Sequence, residues 1–371
     1  MGPSFNEQFD QHGAWRRAFA QQLKQLAEWM SNHDLMDAAV QERLQRLEGQ
    51  VRTDKVMVAF VAEFSRGKSE LINAIFFADY GRRIMPASAG RTTMCPTELG
   101  YDSTLPPSLR LLPIETRLQM QGLADWRLKP ERWVEIALDV NNADQIAKAL
   151  EKVSEIRRVS IEDARALGFW HDDLTDENPV PDVDGLVEVP MWRHALINIP
   201  HPLLKQGLVI LDTPGLNAVG AEPELTVNLI PQAHAVVFIL SADTGVTRSD
   251  LSIWREHLAT STDSRDARLV VLNKIDTLWD SLNSPEQVQA QLGRQCRTSA
   301  EMLGIPLEQV VPVSAQKGLV AKIACDDVLL ESSGLPALEE VLAQGVMGRR
   351  QAILRAAVAT GGRSEERRVG K

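Results

Sequence analysis

The sequence is poor in the features that mark several protein classes. Among 371 residues there are three cysteines, Cys95, Cys296 and Cys325, widely spaced and odd in number. That excludes a disulfide framework and a zinc ribbon, and it fits the reducing cytoplasm. No apolar run approaches the roughly 18 uninterrupted residues that a membrane-spanning helix needs. Met1 to Trp15 lacks the basic-then-apolar pattern of a secretory signal. Positive charge is also in deficit, with 40 Lys and Arg against 50 Asp and Glu, a net charge of -10. Such a chain has no general attraction for nucleic acid or anionic lipid, so no nucleic-acid partner is expected and any such contact needs a local patch. Histidines 171, 194 and 201 lack metal-ligand spacing. The acidic stretch Asp172–Glu188 does not continue Asp182-Val183-Asp184-Gly185 into a calcium loop, and reads as solvated surface.

What is present is a hydrophobic fraction of 44%, ample for a core. Trp15, Phe19, Leu23, Leu26 and Met30 fall on one face of a helix, and Leu35, Val40, Leu44, Leu47 and Val51 form a second periodic stretch. Short apolar runs follow at 55–62, 208–211, 235–240, 268–272 and 310–313, with a helical pattern over 285–303. Runs of this kind suit strands buried on both faces, and their alternation with helices predicts an α/β fold with a mainly parallel sheet flanked by helices. Residues 103–206 are less regular and read as a long insert. Ligands of such sheets bind beyond the carboxyl ends of the strands.

The first of those ends carries Ala62-Glu63-Phe64-Ser65-Arg66-Gly67-Lys68-Ser69, the phosphate-loop pattern with alanine in the first glycine position. Backbone N–H groups from Glu63 through Gly67 are placed to bind phosphate oxygens, and Gly67 lets the chain approach closely. Lys68 supplies a point charge to the β and γ phosphates, and Ser69 a hard oxygen for Mg²⁺. Asn273-Lys274-Ile275-Asp276 selects guanine. One carboxylate, Asp276, accepts from both N1–H and the 2-amino group, a pair that adenine lacks; Asn273 is expected on the purine edge and on nearby backbone, and the stem of Lys274 over the ring. Ser314 and Ala315, after the last strand, offer a backbone amide to the guanine carbonyl. Asp212-Thr213-Pro214-Gly215 places Asp212 near the metal and the Gly215 amide at the γ phosphate, in the manner of GTPase switches. The remaining hydroxyl for the metal comes from Thr93 or Thr92. Leu216 stands near where Ras-type enzymes carry a water-orienting glutamine. Leucine cannot orient water, which leaves Ser65, Arg66, Thr93 or a partner's group. For Arg66 the alternative is a solvated side chain at the loop rim.

Together these residues resemble the GTPase domain of the dynamin superfamily, specifically the bacterial dynamin-like proteins. The similarity rests on Glu63-Phe64-Ser65-Arg66-Gly67-Lys68-Ser69, on Leu71-Ile72-Asn73-Ala74 and on Thr93-Met94-Cys95-Pro96, and spans roughly 50–345. It implies an Mg²⁺-dependent GTPase alternating between GTP and GDP, a homodimer formed across the nucleotide face, and mechanical work on membranes. It divides the chain into N-terminal neck helices at 1–52, a GTPase domain at 53–332 and a C-terminal helix at 333–360 leading to a missing stalk. Peripheral membrane contact is expected only through that missing part. Residues 363–371 resemble vector-derived read-through, a non-native tail. Two other readings stay open: a non-dynamin GTPase switch of the ribosome-assembly or septin-like type, and a pseudo-GTPase scaffold with slow turnover.

Overall fold

A computed structural model describes residues 21–22, 24–30, 32–33, 55–86, 95–119, 121–172, 178–205, 207–213, 230, 233–258, 268–279, 284–342 and 344. Eleven strands are described: β1 (Val56–Ala62), β2 (Thr97–Gly100), β3 (Ser108–Pro113), β4 (Val134–Ala137), β5 (Ile156–Val159), β6 (Val187–Pro190), β7 (Trp192–Asn198), β8 (Leu208–Asp212), β9 (Ala235–Ser241), β10 (Arg268–Asn273) and β11 (Val310–Pro312). Nine of them form one sheet in the order β11-β10-β9-β1-β8-β2-β7-β3-β4, and β5 pairs with β6. The five strands from β11 to β8 run parallel. β2 reverses against β8, and the far edge mixes directions. The parallel strands are almost wholly apolar because both faces are covered.

Helices cover both faces. Those used below are α1 (Lys68–Ile72), α2 (Leu123–Arg127), α3 (Arg248–Ile253), α4 (Pro285–Leu303) and α5 (Ala315–Ala324). On one face Val58, Phe60 and Ile210 pack with Leu71, Ile72, Leu319 and Leu338. On the other, Ala59, Val61, Phe238 and Leu272 pack with Ile253, Trp254, Cys296 and Leu303. Successive strand residues alternate between the two groups, as a period-2 backbone requires. Ser284 caps α4, with Gln287 completing a capping box and Pro285 at the first turn.

The interval 103–206 is more regular than its sequence indicates. It contributes β3, β4 and β7 to the main sheet and carries the β5–β6 pair with its own small core around Ile114, Phe169 and Val189. The reading missed these strands because β4, β5 and β6 are four residues each and charged residues interrupt every one of them. In the acidic stretch, Asp182 and Asp184 both pair with Arg158 on β5. The expected helices before residue 21, the stretch 34–54 and the tail 363–371 lie outside the described residues.

α1 runs on into a π-turn, Asn73–Phe77. Asn73 is buried there, accepting from the backbone N–H of Ile84 and Met85 and donating to the Met85 carbonyl. Phe76 meets His201 edge-on at 5.7 Å. Burial holds the His201 imidazole down at about 4, opposed by Asp79. In the unfolded chain it titrates near 6.5, so the unfolded state binds the extra proton first. His201 therefore contributes stability above pH 6.5 that is lost as pH falls toward 4. A His201→Asn protein is expected to flatten acid destabilisation in that window by up to about 3 kcal/mol. Urea unfolding at pH 7 and pH 4.5 checks this; an unchanged pH slope refutes it.

Candidate nucleotide site

Strand register brings the sequence-predicted residues to one edge of the sheet. Asp212 at the end of β8 lies opposite Phe60, two residues before β1 gives way to the phosphate loop. Asn273 at the end of β10 lies opposite Ser241 of β9. The loop turns through two left-handed residues, Ser65 at φ 66° and Gly67 at φ 84°, and α1 starts at Lys68 with Leu71 N–H bonded to the Gly67 carbonyl at 3.0 Å. Successive amides at such a turn form an anion-binding concavity facing a helix start.

Lys68 is 8% exposed, and its Nζ donates to Asp212 Oδ1 at 2.5 Å and to the Thr213 carbonyl. Thr213 Oγ1 donates to the Phe60 carbonyl at 2.9 Å, fixing the start of the Asp-Thr-Pro-Gly segment to β1. Burial pushes the Asp212 carboxyl above the usual carboxylate range, and the Lys68 ammonium pulls it back. The second oxygen, Oδ2, is buried without a hydrogen-bond partner. An orphaned carboxylate oxygen beside a phosphate loop fits a hard cation, and with Ser69 it makes an all-oxygen donor set suited to Mg²⁺.

Asn273 is the hub of the base side. Its Nδ2 donates to the Arg66 carbonyl at 2.9 Å and its Oδ1 accepts from Ala315 N–H at 3.0 Å. One buried amide thus ties the phosphate loop to the segment after β11. Ser314 Oγ donates to Asp276 Oδ1 at 2.6 Å, orienting that carboxylate, and Ser314 also caps α5. Lys274 adopts φ 61° and its Nζ lies 3.3 Å from Asp243.

Sequence comparison identifies the architecture. The profile described as "Dynamin family" matches residues 58–275, more than half of the 371. The chain belongs to the dynamin family. This dynamin-family GTPase domain is 26% identical over 171 residues to a bacterial dynamin-like protein of Nostoc punctiforme, covering 42% of this chain and 22% of that one. It is 28% identical over 127 residues to a probable transmembrane GTPase, FZO-like and chloroplastic, of Arabidopsis thaliana, covering 34% and 13%. Its fold is similar to a solved structure from an oligomerised bacterial dynamin pair described as sensing and tethering membranes at long range. The TM-score is 0.56 at 15% identity, over 93% of this chain and 54% of that one. The chain thus spans about half of that solved structure and about a fifth of the Nostoc relative.

Within the domain, Lys68, Asp212, Asn273, Asp276, Ser314 and Ala315 meet through the bonds above. Phe64 is half exposed at the loop tip. Thr92, Thr93, Gly215 and Leu216 lie outside the described residues. Arg66 departs from both expectations for it. It is 7% exposed, not a rim residue, and its guanidinium is held by Glu63, by Thr244 Oγ1 at 2.6 Å, by Thr247 Oγ1 at 3.2 Å and by Asp250 Oδ2 at 2.9 Å. Both terminal nitrogens are thus committed to the scaffold, and Nε, without a partner, is buried. The same bonds engage the Glu63 side chain, so Glu63 and Arg66 face the loop's support and only their backbone is left for phosphate. Thr244, Thr247 and Asp250 were missed by sequence reasoning. The available signal was Thr247-x-x-Asp250 ahead of α3, which forms a capping box.

Proposed function

We propose that this chain binds GTP with Mg²⁺ and hydrolyses it to GDP and phosphate, as the GTPase module of a longer dynamin-like protein. The observation that carries this is the clip made by Asn273, which joins the phosphate loop to Ala315, next to the Ser314 hydroxyl that orients the Asp276 carboxylate for guanine. In this reading the loop amides from Glu63 to Gly67, with Lys68, hold the phosphates and stabilise charge that develops in the transition state. Ser69, Asp212 and Thr93 hold the metal, which when bound neutralises charge on the β and γ phosphates. Asp276 takes the guanine N1–H and amino group, Lys274 lies along the ring, and the Ala315 region meets the guanine carbonyl. Gly215 reports the γ phosphate. With the Arg66 guanidinium anchored inward, Ser65 and Thr93 are the chain's own groups for positioning the attacking water.

Dimerisation across the nucleotide face, and a membrane role of the full-length protein at the cytoplasmic side of a membrane, complete the proposal. They are supported by the dynamin-family match and by the oligomerised state named for the solved neighbour. No helix among the described residues is long and apolar enough to cross a membrane. The deciding experiment measures GTP turnover per molecule against protein concentration. A rate that rises with concentration is expected; a flat, near-zero rate supports a scaffold instead.

The base assignment has its own test. In Asp276→Asn the side chain offers an amide donor where the guanine amino group needs an acceptor. GTP affinity is expected to fall about 10- to 100-fold, the loss of charge-assisted bonds worth roughly 1.5–3 kcal/mol. Xanthosine triphosphate, which presents a carbonyl there, is expected to bind better than GTP. Unchanged preference in a competition titration refutes the pocket.

A further inference from the structure

A second polar concavity opens on one face of the sheet and reaches the end of the strands away from the phosphate loop. It is a groove of about 210 Å³ whose lining includes Lys55, Glu98, Asp102, Arg110, Arg127 and Trp133. Lys55 immediately precedes β1 and the phosphate loop immediately follows it. From Lys55 the groove runs up the sheet face to Glu98 and Arg110, which lie level with Leu211 and Ala59 in mid-strand; Arg110 on β3 stands four strands, roughly 20 Å, to the side of β1. The groove is far larger than the 10–15 Å³ or so that one water needs, so it admits a ligand of several atoms.

Strand register sets its charges. Arg110 on β3 lies opposite Leu196 of β7, and Leu196 lies beside Glu98 of β2. Arg110 and Glu98 therefore share one face of the sheet, two strands and about 10 Å apart, with an apolar residue between. Glu98 is 7% exposed and already engaged: Arg127 pairs with it from α2, and buried His194 contacts it at 3.1 Å. These two and Lys55 hold its carboxyl below the usual range against desolvation. Arg110 is in a different position. Its Nε is buried without a hydrogen-bond partner, and among the described residues no ion pair forms at its guanidinium. Asp102 feels Lys55 and Arg110 through space, while its own carboxylate bonds Thr104. Three cations thus line the groove beside Trp133, against the two carboxylates of Glu98 and Asp102, in a chain whose net charge is -10. Two of the three cations carry planar forks that suit phosphate oxygens.

The geometry points to a second anion site, a groove that takes a phosphate group, with Arg110 as its principal ligand and Lys55 and the outer nitrogens of Arg127 closing over it. The phosphate belongs to a free phosphate ester or to a lipid headgroup, and the two sources share this chemistry. The inference does not depend on the nucleotide reading, because Arg110 stands four strands to the side of β1, which the phosphate loop follows.

Titration of the full chain with inorganic phosphate at constant ionic strength tests it. Phosphate binding is expected to persist in Lys68→Ala, which disables the nucleotide loop. In that background Arg110→Gln is expected to weaken it ten- to a hundredfold, and Lys55→Gln severalfold. Lys55 is exposed and its replacement does not touch the core, so it carries the test alone if Arg110→Gln fails to fold. Sedimentation with phosphatidylcholine vesicles containing phosphatidic acid separates the sources. Retention that depends on Arg110 assigns the lipid headgroup, and phosphate binding without retention assigns a soluble ester. The proposal is overturned if neither phosphate nor vesicles bind, or if binding is unchanged by Arg110→Gln and Lys55→Gln alike.

Discussion

Replacing Lys68 with alanine is expected to lower GTP turnover at saturating nucleotide at least ~100-fold, the scale for losing one preorganised charge-stabilising group. GTP affinity is expected to fall about tenfold or more, since a charged hydrogen bond contributes roughly 1.5–3 kcal/mol. The structure adds a second consequence. Lys68 is the ion-pair partner of Asp212, which is 2% exposed. Removing one member of a buried pair typically costs about 3–5 kcal/mol, because the other charge is left uncompensated. Part of that cost is relieved when Asp212, already pushed upward by burial, takes up a proton. Lys68→Ala is therefore expected to melt below the parent, with a deficit that narrows as pH falls. The double variant Lys68→Ala, Asp212→Asn separates the two effects. It removes both charges, so stability is expected to recover while turnover does not. A Lys68→Ala protein that binds GTP like the parent would falsify the site assignment.

The parallel half of the sheet was legible in the sequence because its strands are buried on both faces. Val56–Ala62, 208–211 and 269–272 are continuous apolar runs, and the phosphate loop, the Asp212 motif and the Asn273 motif each begin where one stops. The antiparallel extension was not legible for the same physical reason in reverse. β4 is an exposed edge strand of four residues, and β5 sets two adjacent arginines between Ile156 and Val159. Neither produces a run that stands out from a loop. The roles of Arg66 and Asn273 were hidden differently. Motif spacing locates a residue on the chain, but whether its side chain faces ligand or scaffold depends on groups about 180 or 200 positions away. Arg66 turns inward because Asp250, fully buried, needs a cation. Asn273 commits both ends of its amide to backbone, at Arg66 and Ala315; contacts to nearby backbone and to the purine edge had both been expected. The base pocket is thus held together by a residue that has little left to offer the base.

That clip makes Gly67→Ala the most informative single substitution after Lys68. Gly67 sits at φ 84°, and a Cβ there would stand 2.4 Å from Asn273 Nδ2. The left-handed conformation alone costs an alanine roughly 1–2 kcal/mol. The contact is the larger problem, since Asn273 cannot swing away without releasing the Arg66 carbonyl, the Ala315 amide or both. Relief therefore breaks the link between the phosphate loop and the base side. Stability is expected to fall about 2–4 kcal/mol, the sum of the strain and one or two lost buried hydrogen bonds, and GTP affinity more than tenfold. Gly81→Ala is the matched control. Gly81 has φ 67°, and a Cβ added there would meet nothing within 4 Å, so it carries the strain without the collision. Chemical denaturation of the two variants isolates the contact as their difference. Adding Asn273→Ala to Gly67→Ala removes the obstructing amide and is expected to return part of the stability but none of the affinity, because the clip stays broken. Equal losses in Gly67→Ala and Gly81→Ala would show that Asn273 does not crowd the loop, and the coupling between phosphate and base sites would then need another carrier.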